Sequence, residues 1–168
     1  MQTFLSLCQQ RMSVRDYSNQ APSPEDIEYI LECIRLAPSA VNFQPFKIKY
    51  ITNEGDLKKL HQCYAREWFK TAPACFIIYR NKTEEWVRKF DNKPHGDIDA
   101  AIAIEHLCLA AAERHLGTCW ICNYDPESLE KHFPTPANLE AVALIPIGYP
   151  TSEEIPTKKR KDQADLLL

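Results

Sequence analysis

Residues 97–120 read DIDAAIAIEHLCLAAAERHLGTCW, and this stretch decides how the rest of the chain is arranged. From Ile98 to Ala112 nearly every position is apolar, interrupted by Asp99, Glu105 and His106. Residues 97–116 predict a helix of about 30 Å at 1.5 Å rise per residue. A helix that is apolar nearly all round belongs in the middle of a domain. The interruptions leave the stretch short of the ~20 mostly apolar residues that a bilayer crossing needs. Gly117 is the expected stop. Residues 118–122, TCWIC, then read as a strand.

Toward the C-terminus, Asp125-Pro126-Glu127 opens a short helix that runs through Leu129 to Phe133. Residues 140–147, EAVALIPI, predict another strand, with Pro146 placing one end at an edge or bulge. After Gly148-Tyr149-Pro150 the chain turns polar, and 151–168 reads as a tail that is either disordered or wraps onto a partner subunit. Toward the N-terminus, residues 81–96 predict an exposed connection with a short helix around Trp86. Residues 74–79, ACFIIY, predict a buried strand, 56–70 a helix, and 46–52, FKIKYIT, a half-buried strand. Ser23 caps a helix that starts at Pro24 and ends before Pro38. Thr3 caps another over 3–11. Helices and strands mix without regular alternation, so the expected class is α+β, in one domain spanning 1–168.

Composition narrows the function. The 168 residues are 45% hydrophobic and 26% charged with a net charge of -3, an ordinary globular balance with no call for nucleic acid or an anionic membrane. Seven cysteines, an odd number and mostly inside apolar runs, suit buried free thiols better than a disulfide framework. The start, MQTFLSLCQQRMS, lacks the basic opening and small-residue cleavage site of a secretory signal. The expectation is a cytoplasmic protein.

Three motifs carry candidate chemistry. In RMSVRDY, 11–17, the alternate residues Arg11, Ser13 and Arg15 share one side of an extended segment and suit an anion; a solvated basic turn is the plain alternative. APSAVNFQPF, 37–46, is a proline-bounded loop in which Ser39, Asn42 and Gln44 offer polar contacts; a simple connection is equally compatible with it. Cys119 and Cys122 form a C-x-x-C pair, but a strand sends their sulfurs to opposite faces, which disfavours a dithiol or zinc site. His106 reads as a satisfied core histidine. With four glycines and no glycine-rich signature, a bound phosphate would be held mainly by side chains.

Taken in order, RMSVRDY, APSAVNFQPF, the long helix ending GTCW, and LIPIGYP followed by a basic tail resemble the FMN-dependent nitroreductase family along almost the whole chain. The resemblance implies an α+β nitroreductase-like fold with a central mixed sheet flanked by helices. It also implies a homodimer with FMN at the interface. The cofactor-binding set it implies is Arg11, Met12, Ser13, Arg15, Pro38, Ser39, Ala40, Asn42, Gln44, Thr118, Cys119, Trp120, Ile121, Lys158 and Arg160. Arg11, Ser13, Lys158 and Arg160 would hold the phosphate, Arg15 the pyrimidine edge, and the backbone from Thr118 to Ile121 would lie along the flavin. Pro38, Ser39, Ala40 and Asn42 would come from the partner. No side-chain catalyst or metal is implied, since the flavin carries the chemistry: ping-pong transfer from NADH or NADPH to a nitroaromatic, quinone or similar small-molecule acceptor.

The chain also departs from the family. Cys122 stands where glycine is usual and Phe46 where tryptophan is common, and 54–96 lacks the long lid insertion of larger relatives, which argues against the dehalogenating branch. The competing readings are a flavin-binding sensor or carrier, a thiol–disulfide protein using Cys119 and Cys122, and a purely structural dimer.

Overall fold

The computed structural model describes residues 3–152 and 154–168. Four strands form the main sheet: β1 (Phe46–Ile51), β2 (Ala74–Asn81), β5 (Gly117–Thr118) and β6 (Leu139–Gly148). Their order is β1-β2-β6-β5, with every neighbouring pair antiparallel. An isolated parallel bridge between Ser13 and Thr118 attaches the N-terminal segment to β5 and makes the sheet mixed at that edge.

Helices cover both faces. On one side α2 (Pro24–Arg35) and α4 (Gly96–Glu113) pack against the sheet. On the other lie α3 (Glu54–Cys63) and α5 (Pro126–His132). A short α1 (Phe4–Gln10) opens the chain. The caps expected from sequence form: the Thr3, Ser23 and Asp125 side chains each accept a first-turn amide. His106 also behaves as expected, its Nδ1 lying 3.1 Å from the Cys33 carbonyl.

The long helix supplies most of one core. Ala100, Ala103, Ile104, Leu107, Ala110 and Ala111 are buried against the sheet and α2. Each fully buried Ile or Leu contributes about 1.5–3 kcal/mol, and the alanines let the backbones approach closely. The expected all-round burial is not reached. Ile98 is 45% exposed, and Ile102, Glu105 and Leu109 on the same stripe are only half-buried, because the chain has too few elements to cover both flanks of α4.

Several boundaries differ from expectation. The 56–70 helix breaks into α3 and a 3-10 turn, Glu67–Thr71. No helix forms around Trp86; residues 82–95 instead carry a hairpin, β3 (Val87–Arg88) and β4 (Lys93–Pro94), whose turn uses Asn92 at φ 56. Helix α4 ends before Gly117. His115 takes the left-handed position at φ 58, and the Leu116 amide reaches back to the Ala111 carbonyl at 2.8 Å. Gly117 is needed for another reason: a Cβ there would lie 2.5 Å from Val14 Cγ2.

Pro146 is not at an edge. It sits inside β6, opposite Cys75 of β2, in continuous register; the bulge of that pair lies at Ile78/Tyr79 instead. The Leu144 amide points toward Ile121, so Pro146, two residues on, presents its missing donor to the same side. The ladder to β6 therefore opens at Cys119 and Trp120, and the expected strand 118–122 is reduced to Gly117–Thr118 plus a bridge at Ile121.

Candidate functional site

The site grows from the junction of the N-terminal segment, β5 and the C-terminal tail. Residues 11–17 run extended beside β5, pinned by the Val14 amide on the Thr118 carbonyl at 2.9 Å and the Ser18 amide on the Tyr149 carbonyl at 2.8 Å. Val14 and Tyr17 are buried, and the Tyr17 hydroxyl donates back to the Val14 carbonyl at 2.9 Å. This alternation fixes the other side: Ser13 and Arg15 are exposed, and Arg11 is half-buried at the end of α1.

The exposed side is cationic. Arg15 lies over the Trp68 ring at 5.9 Å. Arg11 has one acidic partner, Glu105 of α4, at 3.9 Å. The tail brings Lys158 onto the same point, where its ammonium donates to the Cys8 and Arg11 carbonyls, each at 2.5 Å. Those carbonyls end α1, the negative pole of the helix dipole. Burial, with Arg11 and Arg160 close by, pushes the Lys158 pKa down. Arg160 is exposed and donates to its neighbour's carbonyl at Lys159. A cavity of about 510 Å³ opens beside this cluster, with Arg11, Met12, Val14, Cys108, Thr118 and Ile155 in its wall.

The floor is the open ladder. Thr118, Cys119 and Ile121 are buried and Trp120 is half-buried. The Ile121 amide is taken by the Leu144 carbonyl at 3.0 Å. Among the described residues the Cys119 and Trp120 amides make no hydrogen bond, and the buried indole Nε1 of Trp120 also has no partner. Burial raises the Cys119 thiol pKa, opposed by Arg15, the Ser13 hydroxyl and Arg11. Cys122 is exposed on the other side, and both cysteines are free thiols; this disposition gives the C-x-x-C pair no shared pocket.

The loop 37–45 is elsewhere in the chain. Asn42 and Gln44 are exposed, Pro38 is exposed, and Ser39 accepts the Gln44 amide at 2.9 Å. The Ala40 amide donates to Asp99 Oδ1 at 2.7 Å, near the start of α4. Among the described residues, no hydrogen bond or ion pair joins this loop to the 11–15 segment. One chain thus assembles Arg11, Met12, Ser13, Arg15, Thr118, Cys119, Trp120 and Lys158, and leaves Pro38, Ser39, Ala40, Asn42 and Gln44 apart.

Sequence reasoning missed Trp68, Glu105 and Asp99. Trp68 carried no motif. Glu105 and Asp99 read as interruptions of an apolar helix, although a carboxyl that is buried, as Asp99 is, is itself a signal of a partner. Among the described residues no helix is long and apolar enough to cross a membrane, and no group of His, Cys, Asp and Glu is placed to hold a metal.

Comparison with known proteins agrees with this fold. A nitroreductase family protein from Clostridium difficile 630 superposes with a TM-score of 0.92 at 27% identity, over 99% of this chain and 97% of that one. A nitroreductase structure from Desulfovibrio desulfuricans, solved in complex with FMN, superposes at 0.82 with 25% identity over 98% and 94%. An Archaeoglobus fulgidus protein assigned as an NADH dehydrogenase/NAD(P)H nitroreductase is 28% identical over 165 residues, covering 92% of this chain and 89% of its own. The iodotyrosine deiodinase of Thermotoga neapolitana is 23% identical, with 89% and 90% covered. The sequence profile of the nitroreductase family matches residues 8–63 and 56–149, most of the length, and the chain belongs to that family.

Proposed function

We propose that the protein is an FMN-dependent NAD(P)H oxidoreductase that works as a homodimer. One observation carries the reading: Lys158 seats on the Arg11 carbonyl with Arg160 close by, Arg15 is exposed further along the same extended segment, and among the described residues Glu105 is the carboxylate that pairs with Arg11. Such a cluster repels itself until an anion joins it, and a phosphate carrying nearly two charges suits converging cations. An ammonium has three donors. Lys158 spends two on carbonyls, which aim the third and leave it for the phosphate.

The other residues fit the rest of the cofactor. Ser13 offers a hydroxyl beside the two arginines. The Trp120 amide, which alternation turns away from β6, is an unspent donor at the floor, where a planar ring edge has acceptors. Arg15, steadied over Trp68, places positive charge where the reduced ring gathers negative charge. The chemistry that bound FMN supplies is hydride uptake from NADH or NADPH and delivery of electrons to an electron-poor acceptor, a nitroaromatic or quinone, in ping-pong order.

A second copy completes the site. Ile98 and the half-buried Ile102 and Leu109 on α4, and the exposed Phe4, Leu5, Val41 and Phe43, are apolar side chains left for a second copy to cover. Covering them with another subunit brings that subunit's loop 38–44 to this chain's cationic side. Dehalogenation is less well supported, because 82–95 is a short hairpin with no tyrosine to close over a substrate. The test is the absorbance spectrum of the purified protein after incubation with FMN, then with NADH or NADPH under argon. A yellow dimer that bleaches is expected. A well-folded, colourless monomer overturns the proposal, and a yellow protein that no nicotinamide bleaches is a flavin carrier instead.

A further inference from the structure

The loop that follows α2 is built against its own preferences. Val41, Asn42 and Gln44 have φ of 52°, 60° and 52°, the left-handed region, with no glycine among them. For a β-branched residue such as Val41 this is a true outlier. Strain of that kind persists where surrounding contacts over-determine it. Within the loop the Asn42 and Phe43 amides meet the Ser39 and Ala40 carbonyls, Ser39 Oγ takes the Gln44 amide, and the Gln44 side chain reaches Asn42. From outside, the Asn81 amide of β2 fixes the far end at the Pro45 carbonyl, 2.7 Å, and Asp99 fixes the near end. This carboxyl is 1% exposed, stands in the first turn of α4 where the helix dipole favours negative charge, and accepts the Ala40 amide at 2.7 Å. Its second oxygen, Oδ2, is buried with no partner among the described residues.

A buried carboxyl is a poor choice for packing. Among the described residues its side-chain hydrogen bond goes to the loop. We propose that Asp99 is a positioning residue: it clamps Ala40 and so holds Ser39 to Gln44 in the strained shape that the neighbouring subunit's FMN requires. The inference deepens the proposed function and rests on it for the identity of the ligand. Asp99 touches neither substrate nor cofactor. It trades burial of a polar group for a loop that is set before the cofactor arrives.

The test uses the full chain with FMN as probe. Asp99→Ala is expected to weaken FMN binding about tenfold or more and to remove the slow hydrogen exchange of the Ala40 amide. Asp99→Asn keeps an acceptor for that amide and is expected to stay within about threefold of the parent. Should Asp99→Ala fail to fold, Ala40→Pro deletes the donor alone; Ser39, at φ -140 and ψ 162, already has the extended shape that precedes proline. It is expected to give the same loss. Parent-like affinity in Asp99→Ala or Ala40→Pro overturns the inference, as does a loss in Asp99→Asn as large as in Asp99→Ala. A parent that binds no FMN defeats the proposed function. The clamp is then judged by exchange alone: Ala40 protection that survives Asp99→Ala overturns it.

Discussion

The segment 11–17 and the loop 37–45 are both short connections that present polar residues, yet they are fixed by opposite means. The first is tied to the sheet: Val14 and Tyr17 are buried, and its backbone joins Thr118 and Tyr149. Its exposed side chains then point outward as a consequence of simple alternation. The second has no strand to lie on. It is bent into left-handed backbone and held at its two ends, by the Asp99 carboxyl of α4 at Ala40 and by the Asn81 amide at Pro45. A site assembled from both has one half set by core packing and one half set by a local clamp, and the two should fail differently.

The largest effect is expected where the first half meets the sheet. Gly117→Val puts atoms inside the Val14 side chain, where even a Cβ would sit 2.5 Å from Cγ2. Overpacking of this kind costs about 3 kcal/mol, measured as a lower denaturation midpoint, and should abolish FMN uptake. A variant with parent stability would show that the segment is not wedged there. Next in size, Arg11→Ala should weaken FMN binding by about 1.5–3 kcal/mol, the scale of a charge-assisted hydrogen bond, with the melting curve nearly unchanged; equal affinity in a titration removes Arg11 from the phosphate role.

The smallest effect separates the halves by pH. Burial pushes the Cys108 thiol, beneath Thr118, from its ordinary 9.0 up to about 12. Between those values the unfolded chain has released a proton that the folded chain keeps. The unfolded state binds fewer protons, so stability falls as pH rises through this window, by at most about 1.4 kcal/mol per pH unit for one thiol. Cys108→Ala should flatten the decline measured by denaturant melts from pH 9 to 10.5. A slope that is the same in both proteins assigns the loss to other groups. The loop 37–45 contains no buried thiol and should not share the effect.

Sequence reading recovered what local chemistry dictates. Ser23 before Pro24 and Asp125 before Pro126 announce their helices because the capping oxygen and the proline both act within one turn. The family resemblance rested on four motifs in order, and the fold follows it. The hairpin at 87–94 was missed although Asp91-Asn92 is turn chemistry, since the flanking strands have two residues each and carry no alternation. The end of α4 was misplaced because Gly117 is a better terminator on paper than His115, and only the packing of Val14 on Gly117 shows why the glycine was needed elsewhere. Asp99 was invisible as an anchor, since nothing local says that a carboxyl at 99 meets an amide at 40. The proposed lending of a loop by one copy to the cationic face of another is a relation between molecules and leaves no trace in one sequence.

Pro146 also bears on how the molecule keeps to itself. An imino acid in an inner strand has no hydrogen to give the Cys119 carbonyl, so the chain beyond Thr118 rejoins β6 only at Ile121. The outer strand is thereby kept to two residues, and so short a margin gives a stray chain little to pair with.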